Sequence, residues 1–261
     1  MASIAPEFEP IAPPSKLLAL TELPRALAEW GALPWAAPLL ASAPRGDGHS
    51  VLVLPGFMTT DASTSVLRRY LARLGYDVHA WELGRNLGPK AIGQEGEHLV
   101  ERLRVVHELT GNKVSLVGWS LGGVMARLVA AKTPDSIRQV ITLGSPFTGN
   151  PKATNVGRTY EFMTGQRMND PRTREQLEEA GSRCGVPSTA IFTKADGIVA
   201  WQNCREEEGP QAENIEVRGS HCGLGVNAAA MYAVADRLGQ AEGEWRPFRA
   251  QGWKRWMYPS G

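Results

Sequence analysis

Apolar residues fall along this chain in two alternating patterns. Short continuous runs predict strands buried on both faces: Ser50–Leu54, Val78–Leu83, Val114–Val117, Val140–Leu143, Thr189–Thr193 and Ile215–Val217. Between them, apolar positions recur at spacings of three and four and predict helices. Val66, Tyr70 and Leu74 mark a helix over 61–74 that Gly75 stops. Ile92, Leu99, Leu103 and Val106 mark a longer one over 91–110 with Gly111 as its cap. A helical segment over 124–132 follows the third run, and Met231, Val234, Ala235 and Leu238 mark a last helix over 227–238. Strands alternating with helices imply a parallel sheet of about six strands with helices on both faces, an α/β fold.

Two stretches depart from this alternation. Residues 1–14 are Pro-rich and are expected to be extended or disordered. From Ser15, residues Leu17, Leu20, Leu23, Leu27 and Trp30 share one helical face. Pro24 is expected to break that helix, with Thr21 capping a second short helix that Gly31 ends. The apolar face is expected to pack on the domain. An interfacial membrane anchor is the alternative, and the scarcity of basic residues on the face counts against it. Further on, Pro146 to Pro187 separates two strands by forty residues with only two weak helical pieces, near Tyr160–Met163 and Thr173–Ala180. Such an excursion is too long for a plain connection, and we expect a cap or lid over the site rather than a loop packed beside the sheet. The resulting organisation is an N-terminal extension with short helices over 1–48, a core over 49–239 carrying the cap/lid insertion at 146–187, and an aromatic tail over 240–261.

Composition narrows the function. The 261 residues are 43% hydrophobic with a formal net charge of +1, and the charges are scattered, so no basic face for nucleic acid is present. No run approaches the roughly 20 apolar residues of a membrane span. A secretory signal is not expected either. The first basic residue is Lys16, the Leu/Ala stretch after it is broken by Glu22, Arg25 and Glu29, and Ala41-Ser42-Ala43 reads as a linker. The chain as given therefore reads as cytoplasmic, or as supplied without its export signal. Of its three cysteines, Cys204 lies shortly after Asp196 and Cys222 directly follows His221. A Cys204–Cys222 disulfide would tie those two loops together and would indicate an exported form, whereas a reducing compartment would leave both as thiols. No C-x-x-C and no His-Glu-x-x-His occurs, so neither a metal nor a cofactor is expected.

The candidate chemistry lies at Gly118-Trp119-Ser120-Leu121-Gly122, between the third apolar run and the helical segment after it. A strand–turn–helix built on Gly-x-Ser-x-Gly presents a serine at the carboxyl end of a strand, above a helix N-terminus. The turn is tight enough that side chains at Gly118 and Gly122 would collide with their neighbours. A serine hydroxyl needs a base, and the base an orienting acid, both just beyond strand ends. His49 precedes a strand, His79 lies within one, and His98 and His107 lie in the long helix, which leaves His221 in Arg218-Gly219-Ser220-His221. Asp196 follows the Thr189–Thr193 strand, whereas Asp135, Asp170 and Asp236 lie elsewhere and Asp61 is expected to cap a helix. Two backbone amides should stabilise the oxyanion of a tetrahedral intermediate. One is Leu121, after the nucleophile; the other is Phe57, with Met58 second, in the loop that Gly56 opens.

Val53-Leu54-Pro55-Gly56-Phe57, Gly118 to Gly123, Thr142 to Phe147 and Asp196-Gly197-Ile198-Val199 together resemble the bacterial esterase/lipase branch of the α/β-hydrolase superfamily. The resemblance covers about residues 49–239. It implies an α/β-hydrolase fold and hydrolysis of a small-molecule or lipid-like carboxylic ester through an acyl-enzyme, with Ser120 as nucleophile, Asp196 as acid and His221 as base. Many lipases carry His where this chain has Pro55 and, before the nucleophile, where it has Trp119. Acyl transfer or amide cleavage would use the same residues. A different class also stands open: a non-catalytic, membrane-associated binding protein, suggested by aromatics mixed with basic residues in Trp245-Arg246-Pro247-Phe248 and Gly252 to Tyr258. The alternative for that tail is packing across the domain.

Overall fold

The computed structural model describes residues 11–168 and 170–259; the Pro-rich start up to residue 10 and the last two residues of the tail lie outside that range. In chain order the helices and strands are α1 (Lys16–Ala32), α2 (Ala37–Ala41), β1 (Ser50–Leu54), α3 (Ser65–Leu74), β2 (Asp77–Ala80), α4 (Pro89–Ile92), α5 (Glu97–Thr110), β3 (Val114–Trp119), α6 (Leu121–Lys132), β4 (Ile137–Leu143), α7 (Gly157–Thr164), α8 (Pro171–Gly181), β5 (Ser188–Phe192), β6 (Ala212–Glu216) and α9 (Ala228–Leu238). The six strands form one parallel sheet in the order β2-β1-β3-β4-β5-β6.

Residue alternation along each strand divides the core into two layers. Val51 and Val53 point with Val117, Ile141 and Ile191 into a layer closed by α3 and α9. Leu52 and Leu54 point with Leu116 and Val140 into the other, closed by α5 and α6. The chain runs from β1 outward to β2, then returns past β1 to β3. That reversal separates the loops after β1 and β3 and opens a crevice at their carboxyl ends.

Several local expectations are corrected. The helix expected over 91–110 is two helices, because Gly93 and Gly96 adopt φ of 87° and 80° and turn the chain between them. β2 ends at Ala80, because Asp61 captures the next two amides: Trp81 N donates to Oδ1 at 3.0 Å and Glu82 N to Oδ2 at 3.2 Å. Asp61 thus pins a strand end, and Thr60 caps the short 3-10 turn instead.

The larger correction concerns α1, which runs unbroken through Pro24. Its leucines do not pack on the domain: Leu17, Leu20, Leu23, Leu27 and Trp30 are 58–79% exposed. The opposite, charged face docks instead, through Glu22, Arg25 and Glu29. These long-range bonds hold both halves of the helix and offset the amide that proline lacks.

The tail is mixed. Tyr258 is buried and donates to Ala229 O at 2.9 Å, and Phe248 packs on it, whereas Trp253 and Trp256 are exposed. Among the described residues, no helix is long and apolar enough to cross a membrane.

The excursion after β4 carries α7 and α8 and is stapled to the core by one buried cation. Arg127 of α6 is 1% exposed. Its guanidinium donates to Ala180 O at 2.5 Å, Ser182 O at 2.8 Å and Glu206 Oε2 at 3.0 Å, and lies over the Phe147 ring. Removing one partner of such a pair leaves the other charge buried and uncompensated. Arg127→Ala should therefore cost about 3–5 kcal/mol, read as a lower urea midpoint at unchanged slope; a variant within 0.5 kcal/mol of the parent, roughly the effect of a neutral surface change, would refute this role.

Candidate active site

The turn between β3 and α6 forces one residue into a costly conformation. Ser120 has φ of 53° and ψ of −123°, a region that non-glycine residues rarely occupy. Its neighbours enforce it. A Cβ on Gly122 would lie 2.6 Å from both the Leu54 and Pro55 carbonyl oxygens, and a Cβ on Gly118 would overlap the Gly123 backbone. The elbow is closed by Ser120 N donating to Leu143 O at 2.8 Å and Gly123 N donating to Ser120 O at 3.0 Å. The serine side chain is left at the N-terminus of α6, above the β1/β3 crevice.

Two other strand ends deliver their side chains to the same point. His221 Nε2 is 3.0 Å from Ser120 Oγ, and His221 Nδ1 is 2.6 Å from Asp196 Oδ2. The second oxygen of Asp196 accepts from Ile198 N and Val199 N, each at 2.8 Å, so the carboxylate cannot rotate away. A carboxylate at Nδ1 fixes the tautomer that leaves Nε2 free to accept a proton from the hydroxyl. Burial by itself would lower the proton affinity of His221. The paired Asp196 charge, its hydrogen bond and the nearby Glu22 charge outweigh burial, and the net shift is upward from 6.5. Trp119, in the position before Ser120, donates from Nε1 to His221 O at 3.1 Å and so braces the His221 loop.

The loop after β1 lies beside the elbow. A Cβ on Gly56 would stand 3.4 Å from Ser120 Cβ. Met58 N is engaged with Asn86 O at 2.8 Å, which leaves Phe57 the better placed of the two expected amides in this loop. Asn86, fully buried, was not legible from sequence. It holds the loop by donating to Pro55 O at 2.8 Å while its backbone N–H donates to Thr59 O at 2.8 Å.

Beneath Ser120 a cavity of about 350 Å³ extends between α6 and the excursion. Phe57, Leu121, Val124 and Leu128 line it from the core side, and Tyr160, Met168 and Leu177 from the excursion. Phe57 and Tyr160 meet ring to ring at 5.3 Å. Charged residues fence one part of the lining: Glu95 pairs with Arg172 of α8 and with Lys132 of α6. The cavity can take an apolar group attached to a carbonyl held at Ser120.

The Cys204–Cys222 bond is absent, and all three cysteines are free thiols. Cys204 is enclosed by Phe192 and Val199, whereas Cys222 lies beside the Glu22 carboxylate. Burial, with Glu22 nearby, pushes the Cys222 thiol up to about 12. A second Asp–His–Ser chain exists away from the cavity. His49 is 2.5 Å from Asp47 Oδ1 and 2.9 Å from Ser115 Oγ. Ser115 has no exposed surface, and none of the three lines the cavity, so this chain ties β1 to β3 rather than presenting a nucleophile. No group of three or more His, Cys, Asp or Glu among the described residues could hold a metal ion.

Sequence comparison aligns 109 residues, 39% of this chain, at 29% identity with two bacterial proteins named triacylglycerol lipase, from Pseudarthrobacter phenanthrenivorans and Burkholderia plantarii. The match spans only about a third of those relatives, 34% and 30% of their lengths. Among solved structures, Aspergillus fumigatus lipase B superposes with a TM-score of 0.57 at 18% identity, over 78% of this chain and 55% of that one. The Paleococcus ferrophilus monoacylglycerol lipase gives 0.53 at 17%, over 74% and 97%. At such identities the likeness is one of fold. The sequence pattern described as "alpha/beta hydrolase fold" matches residues 50–183, from β1 through the elbow to the end of α8, and this chain belongs to that family.

Proposed function

We propose that this protein is a serine hydrolase of carboxylic esters. The observation that carries the reading is the unbroken relay from Asp196 through His221 to Ser120, at 2.6 and 3.0 Å, opening on an apolar cavity. Ser120 Oγ attacks the ester carbonyl as His221 Nε2 takes its proton. The imidazolium so formed is stabilised by Asp196, and the carbonyl oxygen becomes an oxyanion facing the Leu121 and Phe57 amides. His221 returns the proton to the leaving alcohol, and the acyl group stays on Ser120. Water, deprotonated by the same imidazole, then releases the acid and restores the hydroxyl.

The lining favours an uncharged, apolar acyl group, and the relatives named as lipases support the ester class. In this reading the 146–187 excursion is the cap, since Tyr160, Met168 and Leu177 form the far wall of the acyl cavity.

Ser120→Ala should lower kcat on p-nitrophenyl butyrate by about four orders of magnitude or more and abolish labelling by a fluorophosphonate; undiminished turnover removes the assignment. The rate should also depend on pH in a defined direction. His221 must be neutral to accept the proton, and its proton affinity is raised, so the ascending limb of kcat/KM should have its midpoint above 6.5. A midpoint at or below that value contradicts the role given to Asp196. Leu128→Trp fills the cavity and should reduce the decanoate-to-butyrate ratio of kcat/KM roughly tenfold or more. An unchanged ratio means that the acyl chain lies elsewhere.

A further inference from the structure

We infer that Glu22, on the N-terminal helix α1, is a positioning residue for the candidate base, clamping the loop that carries Asp196 to the loop that carries His221. The inference rests on the serine hydrolase reading and adds to it a part of the chain that lies outside the sheet. Glu22 is 2% exposed. Its Oε1 accepts from Gly197 N at 2.7 Å and His221 N at 3.2 Å, and its Oε2 accepts from Cys222 N at 2.8 Å. Gly197 directly follows the acid, and Cys222 directly follows the base. One carboxylate therefore holds both loops at the residues that set the direction of the two side chains.

The rest of the charged face of α1 grips the same loops. Arg25 pairs with Glu22 at 2.8 Å and donates to Ala195 O at 2.8 Å and Gly219 O at 3.3 Å. Glu29 accepts from Ser220 N at 2.8 Å and from Ser220 Oγ at 2.7 Å. Both loops are also shaped to receive the helix. A Cβ on Gly197 would lie 2.5 Å from the Leu18 carbonyl, and one on Gly223 would lie 2.6 Å from the Glu29 carboxylate. A helix that merely covered the surface would not require glycine opposite it in both places.

The clamp is electrostatic as well as geometric. Charged or titratable groups facing His221 come from four stretches of chain: Asp196 in the loop after β5, Glu22 with its partner Arg25 on α1, Cys222 in the base's own loop, and Ser120 at the end of β3. The negative charge of Glu22 favours the imidazolium that forms as Ser120 is deprotonated. Its removal should make His221 less basic and free the loop to drift.

The test uses full-length protein labelled with 15N-histidine, comparing the parent with Glu22→Gln and with Leu20→Ala, an exposed control on the opposite face of the same helix. The imidazole of His221 is followed by NMR through pH, and kcat and KM for p-nitrophenyl butyrate are measured across the same range. Glu22→Gln should move the His221 midpoint and the ascending limb of the rate to lower pH together. It should reduce kcat about 10- to 100-fold, the cost of a misplaced catalytic group, with KM within about twofold, since a positioning loss falls on the chemical step. Leu20→Ala should leave all of these unchanged. An unmoved His221 midpoint in folded Glu22→Gln overturns the inference, even where activity falls with the folded fraction. Should Glu22→Gln not fold, Glu22→Asp keeps the charge but shortens the reach: lower kcat at an unmoved midpoint supports the clamp, and parental kcat refutes it. If the parent hydrolyses no ester, the functional reading fails while the NMR titration still decides the clamp.

Discussion

The close approach of α6 to the ends of β1 and β3 governs this structure. At Gly118 and Gly122 the neighbouring backbone comes within the reach of a single Cβ, and at Gly123 the Ser145 side chain does. The compression leaves Ser120 at positive φ and costs on the order of 1–3 kcal/mol. Packing on both sides of the elbow maintains it, through the two buried layers against the sheet. Because the strain is held by the core, the serine hydroxyl is already directed at His221 in the free protein. The reversal of strand order between β2 and β3 then sets the Phe57 loop beside it, so Ser120, His221 and that loop converge at the carboxyl ends of the strands.

Much of this was legible in sequence because it is written in local patterns. The six apolar runs became the six strands, and the glycine-flanked serine became the elbow, since burial on both faces and steric exclusion each leave a signature within a few residues. Asp196 and His221, picked from chain order and from their places just after strand ends, do lie within hydrogen-bond reach of each other and of Ser120. What escaped were interactions whose partners lie far apart along the chain. Glu22, Arg25 and Glu29 sit at spacings of three and four and form a face of their own. A charged face on a leucine-rich helix ordinarily meets water, and nothing nearby in sequence shows that its acceptors and donors lie near residues 195–223. Asn86 and Asp61 were unreadable for the same reason: each captures backbone groups about 20 to 30 residues away. For Cys204 and Cys222 the sequence left a disulfide and free thiols both open, and the structure has free thiols. Cys222 neighbours His221 in the chain, yet Cys204 is enclosed in a separate apolar cluster.

The excursion after β4 shows how such a fold tolerates a long insertion. Phe147, Ala180 and Leu177 pack against Val124 and Ala190, and Arg127 ties the returning stretch of chain to Glu206, which also accepts from Ser188 Oγ. The base of the insertion is thereby fixed, while α7 and the start of α8 meet the rest mainly across the cavity and through surface charges such as Arg172. The shape of the cavity can accordingly be altered in α7 and α8 without disturbing the elbow.

The docking of α1 has a consequence for how the chain matures on the ribosome. The Glu22 bonds to His221 and Cys222 join residues 199 and 200 positions apart. At translation rates of about 5–20 residues per second, α1 is made roughly 10–40 s before its acceptor loop has been synthesised. Throughout that interval Glu22 and Arg25 have only each other, the loop groups they will hold do not yet exist, and contacts of such long range close late and slowly. The bonds from α1 to the 220–222 loop can therefore form only after the residues of all six strands have been synthesised.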